Sequence, residues 1–333
     1  MPARSPLAVV GGRLATGLVD LTDDLSALDG GGFWAVVVTF EGRATCARFS
    51  RVRPARPWPG PRWQGPPATS WRTSLDHRRF CEAVRSVRRA IGDGDVYQVN
   101  LTRRLSAPAP ADADVAALGA ALAAGNPAPY SAVVRLPEAG LQVASASPEC
   151  FLRRRGREVE SRPIKGTAGS AGGFLGKDRA ENVMIVDLVR NDLGRVCEYG
   201  SVEVPALCAV ERHPGLFHLV STVRGRLRPS VGWAELLAAT FPPGSVTGAP
   251  KLAALDHIAK LEPVSRGPYC GAVGWVDGDA CEGELNVAIR TFWLEGGELH
   301  LGTGGGVTWG STPEGEWEET ELKARRLLSV VSA

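Results

Sequence analysis

The chain has 333 residues, 44% of them hydrophobic and 22% charged, with a formal net charge of +2. That length allows one large domain or two ordinary ones, and the composition is that of a globular protein. So small a charge leaves no electrostatic footprint for nucleic acid or an anionic membrane, and no run of about 18 apolar residues offers a membrane span. The N-terminal "MPARSPLAVV" is too weakly basic and too briefly apolar for a secretory signal. Seven cysteines, an odd number without a C-x-x-C pair, argue against a disulfide framework or a zinc site. Five histidines include no H-E-x-x-H spacing. Reduced thiols in a cytoplasmic protein are the expectation.

Residues 1–50 read as short strands, "FWAVVVTF" among them, separated by glycine turns. Residues 51–70, "RVRPARPWPGPRWQGPPATS", hold too many prolines for regular structure and read as a surface linker. The expected division is therefore 1–70, strands plus linker, and 71–333, one continuous larger domain. In "SLDHRRFCEAVRSVRRAIGDGD", Phe80, Val84, Val87 and Ile91 recur at helical spacing until Gly92. "VYQVNLTRRL" reads as a strand and residues 111–124 as an alanine-rich helix. "SAVVRL", "LQVASA" and the run up to Lys165 read as strands. "DRAENVMIVDLVRNDLGRV" predicts a helix with Asp178 as N-cap and Glu181 three residues on, an aspartate version of the capping box. A strand "FHLVSTVRGRL", a helix "GWAELLAATF", the turn "FPPGSVTGAPK" and a helix "LAALDHIAKL" follow. Strands "GAVGWVD", "ELNVAIRTFWL" and "LHLGTG" lead into a last helix beginning near Pro313 and ending near Val330. Strands and helices do not alternate singly, so the fold class is α+β.

Some residues point to chemistry. "RPIKGTAGS" ends a strand on a tight turn and so presents the amine of Lys165. In the last helix, "TPEGEWEETELKARRLL", Thr312 can cap and Pro313 suits the first turn. Glu316, Glu319, Thr320 and Lys323 fall on one stripe beside the apolar Trp317, Ala324, Leu327 and Leu328. Taken singly, a solvated Glu–Lys pair accounts for that helix, and capping accounts for Asp178 and Glu181. Taken together, carboxylates from two helices are what Mg²⁺ requires when it also holds an anionic substrate. Arg290, on the apolar "NVAIRTFW", needs an anionic partner, either a structural carboxylate or that of a substrate. "GTGGGVT" at 302–308 and "GSVTGAPK" fit neither a dinucleotide fingerprint nor a P-loop. As loops, both would be tight turns or backbone N–H cradles for a carboxylate.

The blocks "SPECF", "RPIKGT", "DRAENVMIVDLVRNDLGRV", "HLVSTVRG", "GSVTGAPK", "GPYCGAVGW", "NVAIRT", "GTGGG" and "EWEETELKA" stand in the order found in chorismate-utilising enzymes. The resemblance covers about residues 75–330. It implies an α+β fold of two large packed β-sheets with helices outside, and a site for chorismate and one Mg²⁺. Water-using members carry a lysine where this chain has Gln98, and a neutral amide is a poor general base. Anthranilate-forming members typically read P-I-A-G-T; those forming 4-amino-4-deoxychorismate read P-I-K-G-T, as here.

By resemblance, Lys165 is the covalent nucleophile and Glu149 the general acid for the departing hydroxyl. Glu181 and Glu319 resemble the Mg²⁺ ligands, with Glu316 and Asp178 beside them. Arg290, Tyr269 and Lys323 resemble contacts to the substrate carboxylates. Gly304, Gly305, Thr247 and Thr167 match the substrate cradle, and His218 the histidine near the reacting ring. An anthranilate-forming enzyme that tolerates Lys165, or a non-catalytic chorismate-binding partner, is the alternative. The sequence departs from the family in its short stretch before about residue 70. It lacks an L-L-E-S-type motif, and the glycine-rich "AGSAGGFLGK" is shortened and suits a lid. Gly310 stands where aspartate is common. No G-x-C-x-G turn is present, so the resemblance implies a separate glutamine amidotransferase subunit as the source of ammonia.

Overall fold

The computed structural model describes residues 5–168, 170–174, 176–213 and 216–332. The apolar run Phe33–Val38 is buried along its whole length, because it lies between the strands Ala44–Pro54 and Ala272–Asp277 with a core behind it. Around it the strands form a continuous antiparallel ribbon. One run goes Glu203–His213, Leu216–Arg226, Glu158–Arg162, Cys150–Arg155, Glu282–Val287, Ala272–Asp277, Phe33–Val38, Ala44–Pro54. It continues through Arg13–Thr22 and Leu7–Val10 into a second run, Tyr130–Leu136, Leu141–Ser147, Thr291–Glu295, Glu298–Val307, Gln98–Pro108. The two runs share one core: Phe151, Val273 and Leu285 of the first run pack in one cluster with Val134 and Val143 of the second and Ala8 of the connecting strand. The strands of residues 7–54 thus sit within the ribbon and bond to both halves.

Helices cover the second run. Val115–Gly125 and Pro313–Val331 bury Leu118, Leu122, Ala324 and Leu327 against Phe292, Leu299 and Leu301. His77–Gly92 and Lys251–Leu261 bury Phe80, Val84, Val87 and Ile258 against Val99, Leu101 and Val307. Burying a large apolar side chain is worth about 1.5–3 kcal/mol, and together these fix the helices on the ribbon.

Three local expectations are corrected, and one strand is added. "ELNVAIRTFWL" is not one strand: it breaks after Val287 and resumes at Thr291, and Arg290 has φ of 52°. The "GTGGG" segment is not a loop but part of the strand Glu298–Val307, in full register with Gln98–Pro108. The helix Gly176–Gly194 starts two residues early, leaving Asp178 in its first turn rather than at its cap. Glu203–His213 is a strand that periodicity misses, because two bulges disrupt its alternation. Among the described residues it pairs only with Leu216–Arg226, and an edge strand tolerates Pro205. The lid suggested for 168–177 cannot be placed, since Gly169 and Leu175 lie outside the described residues.

Candidate active site

Lys165 lies on the strand Ile164–Ala168, opposite Leu219, and is partly buried. Its Nζ donates to the Ser245 carbonyl at 3.1 Å. Burial lowers the amine's pKa, with Lys323 acting in the same sense, while Glu181, Glu149 and Glu319 raise it. Glu149 lies in the gap between Leu141–Ser147 and Cys150–Arg155 and is 3% exposed. Its carbonyl accepts from Val287 N at 3.0 Å, and its Oε1 accepts from Ile164 N at 3.4 Å. Burial pushes its carboxyl up to about 7, against the pull of the Ser245 hydroxyl and the Lys165 amine. A buried carboxyl that keeps its proton near neutrality therefore faces an amine biased toward losing its own. The sequence motifs placed both groups, but they overlooked Ser245, which touches each of them.

The carboxylates come from two helices, as the sequence predicts. Asn182 fastens the first, donating to the Leu219 carbonyl at 3.1 Å and accepting from the Ser221 hydroxyl. That anchor turns Glu181 toward Lys165 and Glu319; burial and Glu319 raise its carboxyl, and Lys165 and Lys177 oppose them. The second helix is held by buried Arg103, which donates to Thr320 Oγ1 at 3.0 Å and to Glu321, and lies over the Trp317 ring. Glu319 pairs with Lys323 at 2.7 Å, so the plain i,i+4 pair does form, although Lys323 Nζ also reaches the Gly304 carbonyl at 2.8 Å. Burial raises the Glu319 carboxyl, but Lys323, Lys177 and Lys165 bring it below its usual value. Glu316 accepts from Ser311 through Oε1 at 2.6 Å, while its buried Oε2 has no partner among the described residues. Burial, together with Glu319 and Glu181, raises its carboxyl.

Among the described residues, no three Asp, Glu, His or Cys side chains close on one point as ligands. The orphaned Glu316 Oε2 and an all-oxygen donor set fit a hard cation that keeps several of its waters. Asp178 stands beside this group, its Cβ 3.0 Å from where a side chain on Gly166 would begin.

The glycine strand is bare because these groups fill the space over it. A Cβ on Gly305 would lie 2.9 Å from Glu316 Oε2; on Gly306 it would lie 2.0 Å from Gln98 Nε2 and 3.5 Å from Lys165 Nζ; on Gly304 it would meet the Leu101 carbonyl at 2.5 Å. Arg290 is partly buried, and among the described residues no carboxylate pairs with it. Burial, and then Arg326, lowers its pKa. Its carbonyl accepts from Ala146 N at 3.0 Å, so its segment runs beside the one that leads to Glu149. The structural-carboxylate reading of Arg290 thus finds no partner among the described residues.

The remaining predicted residues are placed less decisively. Tyr269 is buried under Gly302, with Arg266 and Glu262 alongside, and no bond connects it to Lys165 or Glu149. Thr247 is fully buried, and its hydroxyl donates within its own turn to the carbonyls of Pro243 and Gly244 at 3.1 and 3.2 Å. His218 is buried in register with Thr167, whose side chain lies outside the described part. Lys251 ties the turn to the first carboxylate helix, reaching Asp192 at 2.7 Å and the Thr240 carbonyl at 2.9 Å.

The α+β ribbon carries on neighbouring segments a buried acid, an amine, carboxylates from two helices, and an arginine with no carboxylate partner among the described residues, an arrangement typical of enzymes. Residues 55–329 match the model of the chorismate-binding enzymes, and the chain belongs to that family. It is 42% identical over 264 residues to an anthranilate synthase component 1 of Haloarcula marismortui, covering 76% of this chain and 53% of that protein. It is 40% identical over 273 residues to an aminodeoxychorismate synthase component 1 of Klebsiella aerogenes, covering 78% and 59%. The aligned part therefore spans little more than half the length of these relatives.

In structure, a protein assigned as a 2,3-dihydroxybenzoate-specific isochorismate synthase of Bacillus anthracis superposes with a TM-score of 0.82 at 24% identity, covering 98% of this chain and 96% of that one. Anthranilate synthase component I of Streptococcus pneumoniae superposes at 0.79 and 24% identity, covering 98% and 93%. The fold expected from the sequence is the fold observed. Among the described residues, no helix is long and apolar enough to cross a membrane, and all seven cysteines are free thiols.

Proposed function

We propose that this chorismate-utilising enzyme converts chorismate and ammonia to 4-amino-4-deoxychorismate, with Lys165 as a covalent nucleophile. The observation that carries this reading is the Lys165 amine, favoured in its neutral form by burial and set against a buried carboxyl that titrates near 7. The neutral amine attacks C2 of the ring, both ring double bonds shift by one position, to C1=C6 and C4=C5, and the C4 hydroxyl leaves as water with the Glu149 proton. The Lys165 nitrogen gives up its extra proton to the Glu149 carboxylate. Ammonia then attacks C4, both double bonds return to C5=C6 and C1=C2, and the Lys165–C2 bond breaks; the proton shed by the incoming nitrogen ends on the departing amine. Two displacements through the conjugated diene thus place nitrogen at C4. Gln98, an uncharged amide buried beside Gly306, offers no base to activate water there.

Arg290 would take a substrate carboxylate, its fork suiting bidentate contact, and Lys323 the second face of that anion. Glu181, Glu316 and Glu319 would hold Mg²⁺, with Asp178 beside them. When bound, the ion supplies charge neutralisation at the ring carboxylate. The ammonia would come from a separate glutamine amidotransferase subunit. Loss of pyruvate from the product, giving 4-aminobenzoate for folate synthesis, would require a lyase.

A second reading has support of its own. The Haloarcula relative, at 42% identity, is an anthranilate synthase component. Incubation with chorismate, Mg²⁺ and ammonium, followed by identification of the product, separates the two. The proposed function yields 4-amino-4-deoxychorismate, whereas fluorescent anthranilate formed without a lyase would replace it.

A further inference from the structure

Ser245 sits in the short turn Gly244–Val246, is 7% exposed, and touches both reacting groups. Its carbonyl receives the Lys165 amine at 3.1 Å. Its side chain and that of Glu149 line one small cavity with Pro163 and Val287, where the hydroxyl draws down the Glu149 carboxyl that burial raises. The turn itself is braced. Arg266, paired with Glu262 at 2.6 Å, donates to the Val246 carbonyl at 2.8 Å and to the Asn100 carbonyl at 2.7 Å. Glu262 in turn accepts from Thr102 N at 2.8 Å, and the Thr247 hydroxyl closes on the Gly244 carbonyl at 3.2 Å. A carbonyl held this way does not follow the lysine; the lysine adapts to it.

We propose that Ser245 is the positioning residue that sets the amine and the acid relative to each other. This deepens the proposed function and rests on it. A carbonyl can only accept, so it engages one N–H of the neutral amine and leaves the lone pair directed away from the turn. A hydroxyl that donates to one carboxyl oxygen leaves the acidic proton on the other. One residue thereby aims the nucleophile by its main chain and orients the proton by its side chain. Neither effect requires contact with the substrate.

The test compares Ser245→Ala and Ser245→Thr with the unaltered chain, using chorismate, Mg²⁺ and saturating ammonium. Losing the hydroxyl should lower kcat by about 10–100-fold, the usual cost of removing an orienting partner. The chorismate KM should stay within about threefold, because ground-state contacts are untouched. Ser245→Thr keeps both hydroxyl and carbonyl and should retain most of kcat. Ser245→Cys, nearly the same size and a weak donor, should match alanine and serves in its place should the alanine variant fail to fold. An alanine or cysteine variant with unchanged kcat would overturn the assignment. So would a threonine variant as impaired as alanine, since that marks packing rather than hydrogen bonding. The unaltered chain separates this outcome from failure of the functional reading. If it makes anthranilate, the reading falls, and the variant-to-parent ratio still decides the role of Ser245.

Discussion

Glu149 and Lys165 shift each other's titration across the Ser245 turn. Burial holds the carboxyl near 7 and lowers the amine, and each charge partly offsets the other's shift. A carboxyl raised in the folded state from 4.5 to about 7 costs stability as pH rises through that window, because the folded chain must then ionise a buried group that the unfolded chain ionises freely. Glu149→Gln removes the cost. The variant should match the parent near pH 4 and exceed it at pH 8 by about 2–3 kcal/mol in denaturant unfolding, while losing about 10²–10⁴ in kcat. A stability difference that ignores pH would contradict the buried-acid assignment.

Arg290 should carry substrate affinity. It has no carboxylate partner among the described residues, and its left-handed backbone is held by the Ala146–Arg290 bond. Arg290→Ala should raise the chorismate KM or Kd by about 30–1,000-fold, the range for truncating one side of a buried charge pair. Arg290→Lys should recover only part, because the planar fork is lost. An alanine variant that binds chorismate normally, as followed by calorimetry, would rule out the contact.

The glycine strand gives a steric prediction. A methyl on Gly306 would lie 2.0 Å from Gln98 Nε2, inside a packed site, whereas one on Gly310 meets nothing within 4 Å. Gly306→Ala should cost about 1–3 kcal/mol of stability and most of the activity; Gly310→Ala should leave both unchanged. Equal behaviour of the two variants would show that Gln98 can give way.

Chelation should abolish turnover, and Mg²⁺ should restore it. Glu316, whose buried Oε2 has no partner among the described residues, would hold the ion together with Glu181 and Glu319. Glu181→Gln and Glu316→Gln should each raise the Mg²⁺ concentration needed for half-maximal activity by about 10–100-fold. An unchanged Mg²⁺ requirement in both would remove these residues from the metal site.

Much of this site was legible in sequence because its groups sit in contiguous patterned runs. Glu316, Glu319 and Lys323 follow from helical spacing, and Glu149 and Lys165 from short blocks around them. The rest depends on tertiary placement. Ser245 acts through a carbonyl that every residue possesses and a hydroxyl common in turns, so no residue type announces it. The break at Arg290 is hidden because Val287, Ala288 and Ile289 continue an apolar strand pattern up to a residue in the left-handed region. Gly304–Gly306 read as a loop by composition, yet they form a strand whose missing side chains make room for Gln98, Lys165 and Glu316.

The central claim is that the Lys165 amine bonds to the substrate, and mass spectrometry tests it most directly. The protein is incubated with chorismate and Mg²⁺ without ammonia, denatured and digested. The account predicts a fragment containing Lys165 that is heavier by chorismate less one water, lost on addition of ammonium and absent from Lys165→Arg, whose guanidinium stays protonated. An unmodified Lys165 fragment, or an arginine variant with full activity, would contradict it.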